Sequence, residues 1–135
     1  MLGKILLVED SYDLRQMIGT VLSACGWKPL FAESGREALD QLERETPRII
    51  LMDMRMPDMN GFELATILKK HHAYRRIPIL AATAFPDHIA RQRCLAAGCD
   101  DFISKPFSFA ALQSSLTNLV SRDSLNAISA AVGED

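Results

Sequence analysis

Four consecutive apolar residues, Ile49-Ile50-Leu51-Met52, run straight into Asp53. The run is too short for a helix and includes two β-branched residues, so it predicts a strand buried on both faces. Pro57, Asp58, Asn60 and Gly61 follow, residues that fix φ, hydrogen-bond locally or allow positive φ, so the strand passes into a tight loop before the next helix. Asp53 is thereby placed at the carboxyl end of a central strand. In an open α/β sheet the loops diverge at that edge into a crevice where ligands and reacting groups collect. A lone Asp after a strand is more often a helix cap or turn residue, so the rest of the chain has to decide.

The same grammar recurs along the sequence. Ile5, Leu6, Leu7 and Val8 form a second continuously apolar strand, and it ends on Glu9-Asp10. From Tyr12, the residues Leu14, Met17, Ile18, Val21 and Leu22 trace one helical face, with Gly26 as a natural stop. Residues 27–32 predict a strand that Pro29, lacking an N–H, confines to the sheet edge. Ser34-Gly35-Arg36-Glu37 fits a capping box for a helix carrying Ala38, Leu39 and Leu42, and Pro47 forbids its continuation. Phe62, Ala65 and Leu68 define a third helix running toward His71. A fourth strand over residues 77–82 ends on Thr83, and Pro86 opens a helix with Ile89, Ala90 and Leu95 that stops at Gly98. Asp101-Phe102-Ile103-Ser104 makes a short fifth strand leading to Lys105-Pro106. Ser108 is placed to cap a last helix with Leu112, Leu116 and Leu119.

Strand then helix, five times over, predicts a doubly wound five-stranded parallel sheet with right-handed crossovers and helices on both faces. At 135 residues the chain is expected to form one domain, over residues 1–120. Residues 121–135, with Leu125, Ile128 and Val132 at helix-like spacing, are expected as a tail or the start of a linker. Acidic and basic residues are interspersed to a net charge of −2, which gives no footprint for nucleic acid or a membrane surface. No signal peptide and no apolar run that could span a bilayer are evident, so a cytoplasmic location is expected. Cys25, Cys94 and Cys99 form no CxxC pair and read as buried free thiols. His71 and His72 follow Lys69 and Lys70 as a solvated helix end, and neither they nor His88 have a second metal ligand at a useful spacing.

Four of the five strand ends deliver a reactive group: Glu9 and Asp10, then Asp53, then Thr83, then Lys105. All converge on one sheet edge. Carboxylates ~4 Å apart repel by about 4 kcal/mol at an effective dielectric of 20, so the acidic trio calls for a cation. A hard divalent ion with oxygen ligands answers that need, Mg²⁺ first and Mn²⁺ as a substitute, and leaves Asp53 free to act as a nucleophile. Lys105 supplies a mobile point charge and Thr83 a hydroxyl donor, each suited to a phosphoryl oxygen.

With these five groups in order, the chain resembles a response-regulator receiver domain of two-component signalling, of the chemotaxis-regulator type, over residues 4 to about 120. The resemblance implies the flavodoxin-like strand order 2-1-3-4-5. It implies that Glu9 and Asp10 bind Mg²⁺ together with Asp53 and the backbone carbonyl of Arg55, and that Asp53 is the phosphoacceptor. Thr83 and Phe102 become the switch pair, Lys105-Pro106 a cis peptide, and Met56 to Gly61 the family's MPxMxG segment. Arg55 and Phe85 correspond to variable positions that flank the phosphoryl group and tune its lifetime. The implied partners are a histidine kinase or histidine phosphotransfer protein and a downstream protein met by the fourth helix, fifth strand and fifth helix. The implied role is a switch that catalyses its own phosphotransfer and dephosphorylation without turning over an external substrate, either alone or as the receiver part of a larger regulator or hybrid kinase.

Chemistry disfavours the neighbouring folds. A nucleotide binder needs a donor-rich phosphate loop where Glu9-Asp10 would repel phosphate, and a P-loop ATPase needs a GxxxxGK[ST] motif that is absent. A haloacid-dehalogenase-like phosphatase also uses an Asp nucleophile, but with a DxD arrangement on the first strand. The third-strand segment here reads Asp53-Met54-Arg55.

Overall fold

The computed structural model describes residues 2–133, and for Asp87 and residues 123–133 the backbone alone. Strands and helices alternate: β1 (Gly3–Val8), α1 (Tyr12–Ala24), β2 (Trp27–Ala32), α2 (Gly35–Arg44), β3 (Ile49–Asp53), α3 (Gly61–Lys70), β4 (Ile79–Thr83), α4 (Asp87–Ala97), β5 (Asp101–Ser104) and α5 (Phe109–Gly133). The sheet is parallel throughout, in the order β2-β1-β3-β4-β5. Pro29 lies on the edge strand opposite Ile5, where its missing donor is tolerated.

Both faces of the sheet are covered, which is why the central strands are continuously apolar. Ile5 and Leu7 of β1 pack with Ile18 and Leu22 of α1 and with Leu112, Leu116 and Leu119 of α5. Leu6 and Val8 point the other way, into a core completed by Leu42 of α2, Leu64 and Leu68 of α3, and Cys94 and Ala97 of α4. Every residue of β3 is buried.

Two helical stripes differ from the sequence expectation. Met17 is 61% exposed and Leu95 71%, and Ile89 also faces outward. On α4 the buried positions are Ala90, Cys94 and Ala97, a ridge of small side chains, so the bulky apolar residues of that helix point elsewhere. Residues 121–133, expected as a tail, continue α5 to Gly133, and the side chains of Leu125, Ile128 and Val132 lie outside the described residues. Of the three thiols, Cys94 and Cys99 are buried and Cys25 is half-buried.

The loop after β3 is held from two sides. Gly61 is required by close approach rather than by positive φ, because a Cβ there would lie 2.8 Å from Met54 Cα and 3.0 Å from the Asp53 carbonyl. Asp58 reaches across to α2, where its carboxylate accepts the N–H groups of Gly35 (3.0 Å) and Arg36 (2.9 Å) while also accepting that of Met59 (2.9 Å). Ser34 caps the same helix through the Glu37 N–H, as its capping-box position predicts. These contacts fasten the loop that follows Asp53 to the start of α2.

The Arg36 N–H above all, helped by Gly35 and Met59, holds the Asp58 carboxyl below its ordinary value near 3.8. A lowered folded-state pKa contributes stability that is full above the ordinary value and is lost as pH falls through the folded one. Asp58→Ala is expected to lower unfolding stability at neutral pH by about 0.5 kcal/mol, the low end for a helix cap because the group is exposed. Urea titrations should show the gap between variant and wild type closing as pH falls below the ordinary carboxylate range.

Candidate functional site

Backbone hydrogen bonds just past the strands keep their ends level. The Glu9 N–H donates to the Ala32 carbonyl (2.9 Å), Met54 N–H to Ala82 (3.2 Å) and Lys105 N–H to Thr83 (2.7 Å). Side chains that leave β1, β3, β4 and β5 therefore gather at one edge.

There the carboxylates of Glu9, Asp10 and Asp53 each bring an oxygen within 4.8 Å of the others. Glu9 is only 3% exposed and Asp53 9%, whereas Asp10 lies at the surface. Lys105 Nζ bridges the buried pair, 3.1 Å from Asp53 Oδ1 and 3.4 Å from Glu9 Oε1. The Arg55 N–H donates to Asp53 Oδ1 (3.2 Å) and the Ser11 N–H to Glu9 Oε2 (3.1 Å). Ser11 also caps α1 through the Leu14 N–H, and Arg15 Nη1 grips the Glu9 carbonyl at 2.8 Å. The Lys105-Pro106 peptide bond is cis.

Burial, more than any other influence, pushes the Glu9 carboxyl up from its ordinary range; the charge of Asp53 adds to this, while the Ser11 N–H and Lys105 oppose it. Three hard oxygen donors with an excess of negative charge, two of them nearly out of water, fit a hard divalent cation. Among the described residues this is the one such cluster, and it contains no soft ligand.

Thr83 is buried, and its Oγ1 accepts the Phe85 N–H at 3.1 Å. Asp53, Arg55, Thr83, Phe85 and Lys105 all line a cavity of about 190 Å³. Phe102 does not join them. It sits half-buried on β5 beside Ala81, on the side of the sheet that α4 covers, with the Arg91 guanidinium 5.7 Å from its ring centroid. Sequence reasoning missed Ser11, Arg15, Asp58 and Arg93. Arg93 stacks on Phe62 and Phe85, yet in the sequence it is only one more basic residue on a helix.

A doubly wound parallel sheet with an acidic cleft at its carboxyl edge, and a lysine reaching into that cleft, suits a hard cation and a phosphoryl oxygen and lacks the donor-rich phosphate loop of a nucleotide binder. The sequence matches the response regulator receiver domain over residues 5–117, and the chain belongs to that family. It is 34% identical to the polar-differentiation response regulator DivK of Brucella abortus over 108 residues, 80% of this chain and 88% of that protein. It is 38% identical, again over 80% of its length, to the phosphate regulon transcriptional regulatory protein PhoB of Escherichia coli, of which the match covers 47%. The chain thus spans about half the length of the PhoB relatives it matches. Among solved structures it resembles the receiver domain of the sensor histidine kinase PA1611 from Pseudomonas aeruginosa, with a TM-score of 0.80, 34% identity, and coverage of 88% of this chain and 98% of that one.

The charge arrangement makes a stability prediction. Asp53 faces two carboxylates, those of Glu9 and Asp10, with oxygens within 4.8 Å, and one ammonium, that of Lys105, at 3.1 Å. Asp53→Asn is expected to raise unfolding stability in chelator at neutral pH by on the order of 1 kcal/mol. Urea titration checks this, and the gain should shrink as Mg²⁺ is added.

Proposed function

We propose that this receiver takes a phosphoryl group from a phosphohistidine, on a histidine kinase or histidine phosphotransfer protein, onto Asp53. The observation that carries the reading is a nearly buried carboxylate at the end of the central strand, with an ammonium 3.1 Å away and two further carboxylates beside it. An Asp53 oxygen bonds to phosphorus as the P–N bond breaks, and the bonding electron pair stays on the imidazole nitrogen. Glu9 is committed to the Ser11 N–H, and Asp10 is exposed, so neither competes as acceptor.

Glu9, Asp10, Asp53 and the Arg55 carbonyl would hold Mg²⁺ or Mn²⁺, which supplies neutralising charge for the phosphoryl oxygens when bound. The description of the PA1611 receiver places a magnesium ion in its active-site cleft, which supports this assignment at 34% identity. Lys105 pairs with a phosphoryl oxygen, and the Thr83 hydroxyl donates to another. Each chain acts on its own phosphoryl group and turns over no external substrate. Arg55 and Phe85, in the wall of the same cavity, tune how long that group lasts.

The output reading rests on Thr83 and Phe102. A phosphoryl group adds nearly two negative charges, and drawing Thr83 toward it vacates space beside β5 into which the Phe102 ring rotates. The face made by α4, β5 and α5 then changes shape for a downstream protein. Residues 1–120 act as the switch module, with residues 121–135 as a tail or the start of a linker. The chain's relatives include a protein covered to 88%, DivK, and one covered to 47%, PhoB, so the switch acts either alone or as the receiver part of a larger regulator or hybrid kinase. No helix among the described residues is long and apolar enough to cross a membrane, and we place the module in the cytoplasm, where a kinase's phosphohistidine would meet it.

Incubation with acetyl phosphate and Mg²⁺ followed by intact-mass spectrometry should show one phosphoryl adduct on the wild type and none on Asp53→Asn. A fully labelled Asp53→Asn protein would sink the assignment. Thr83→Ala should still take the label, but NMR shift changes over residues 86–112 should fall well below those of the wild type. Equal shifts in the two proteins would show that Thr83 is not the relay.

A further inference from the structure

We propose that Arg93 is a positioning residue that holds the Phe85 ring in the wall of the acceptor cavity and thereby sets how fast Asp53 loses its phosphoryl group. The inference rests on Asp53 being the acceptor. Arg93 lies on the exposed side of α4, with its guanidinium carbon 4.1 Å from the Phe62 ring centroid and 5.0 Å from that of Phe85. The two rings are themselves neighbours, 6.2 Å apart and tilted by 43°. One cation from α4 thus clamps a ring of α3 and a ring of the loop that leaves β4.

Phe85 is the partition between two spaces. On one side is the cavity of about 190 Å³ that contains Asp53, Thr83 and Lys105; on the other is a cavity of about 290 Å³ lined by Arg93, Phe62 and Asn60. Arg93 lines only the second; Met54, Arg55 and Phe85 line both, and of these three it is Phe85 on which the Arg93 guanidinium stacks. The ring's own backbone N–H is tied to Thr83 Oγ1, which fixes where its side chain starts but not where it points. Without the Arg93 guanidinium, the ring keeps only that of Arg55, farther off at 6.0 Å from its centroid, and has the larger cavity behind it to fall into.

Loss of the phosphoryl group is hydrolysis. Water oxygen bonds to phosphorus, the bond from phosphorus to the Asp53 oxygen breaks, and its electron pair returns to the carboxylate. One water proton stays on the departing phosphate, and the other passes to solvent. The attacking water has to enter the smaller cavity, and an apolar ring in its wall occupies space and offers that water no hydrogen bond. A ring that swings away admits it.

The test measures decay of the phosphorylated protein after removal of acetyl phosphate, with excess Mg²⁺, by intact-mass spectrometry. Arg93→Ala should decay about two- to fivefold faster, the factor that one exposed cation–π contact is worth. Its melting temperature should fall by no more than about a few degrees. Arg93→Lys, which keeps a cation over the rings, should recover most of the wild-type lifetime, and Arg93→Gln, with a similar stem and no charge, should not. Phe85→Ala should decay at least as fast as Arg93→Ala, and the double variant no faster than Phe85→Ala alone, because Arg93 acts only through that ring. Wild-type decay in both Arg93→Ala and Arg93→Gln, or a double variant in which the two effects multiply, would overturn the inference. A wild type that takes no label, or an Asp53→Asn protein that does, would instead overturn the acceptor assignment.

Discussion

Glu9 and Asp53 are held almost out of water with oxygens no more than 4.8 Å apart, and Asp10 stands at the mouth of the same cleft. A parallel sheet makes such convergence unavoidable, since every strand arrives at one edge and whatever residue ends it is delivered there. What has to be explained is how like charge survives at the end of a buried strand. Lys105 bridges the pair, the Ser11 and Arg55 N–H groups take one carboxylate oxygen each, and a strained balance is left over that a divalent cation or a phosphoryl transfer would alter. The bond from Lys105 N–H to the Thr83 carbonyl sets the level at which that lysine leaves β5, and so whether it reaches both acids.

Much of this was legible in the sequence, for reasons that are local. Runs such as Ile49 to Met52 are continuously apolar because helices cover both faces of the sheet, and the residue that ends each run is visible by position alone. Helix starts at Ser34 and Ser108 announce themselves because a short hydroxyl side chain satisfies an N–H two or three residues on. Asp58 could not be read this way, since its partners Gly35 and Arg36 lie 23 and 22 residues earlier and belong to a different helix. Gly61 was read as a residue of backbone freedom, whereas its role is to let α3 come against Met54 and Asp53. On α4, hydrophobicity pointed to Ile89, Ala90 and Leu95; Ala90 is buried, but with Cys94 and Ala97 rather than with the two bulky residues, and no hydropathy scale distinguishes a small residue that packs from one that merely fits.

That misreading shows that α4 is held differently from the helices before it. Helices α1, α2 and α3 open on side-chain caps from Ser11, Ser34 and Asn60, whereas α4 opens at Pro86 with no side-chain cap hydrogen bond. It buries small side chains, so it gains less from burial than helices that bury leucines. Its outward arginines supply part of the difference, Arg91 over Phe102 and Arg93 over Phe62 and Phe85. Exposed cation–π contacts are worth about 0.5–1 kcal/mol each, enough to bias a position and weak enough to exchange. The aromatic partners on the switch side, Phe85 and Phe102, sit two residues after Thr83 and three before Lys105, so a change at either strand end is felt by a different arginine of one helix.

The energetics of such a switch favour sharing. Moving a two-state equilibrium from about 1:99 to about 99:1 takes roughly 5.5 kcal/mol of differential stabilisation. A charge-assisted hydrogen bond from Thr83 contributes about 1.5–3 kcal/mol, too little alone. Lys105 is already committed to Asp53 and Glu9, so its pairing with a phosphoryl oxygen replaces an existing attraction and adds only the difference. In the proposed mechanism Phe102 has no hydroxyl to desolvate, so its inward rotation would be cheaper than a tyrosine's but would bring no new hydrogen bond. Lys105 and a bound divalent cation would have to share the remainder. Where they supply less than that, a module of this design would populate its altered α4, β5 and α5 face only partly after phosphorylation, and a partner that binds that face would complete the shift by mass action.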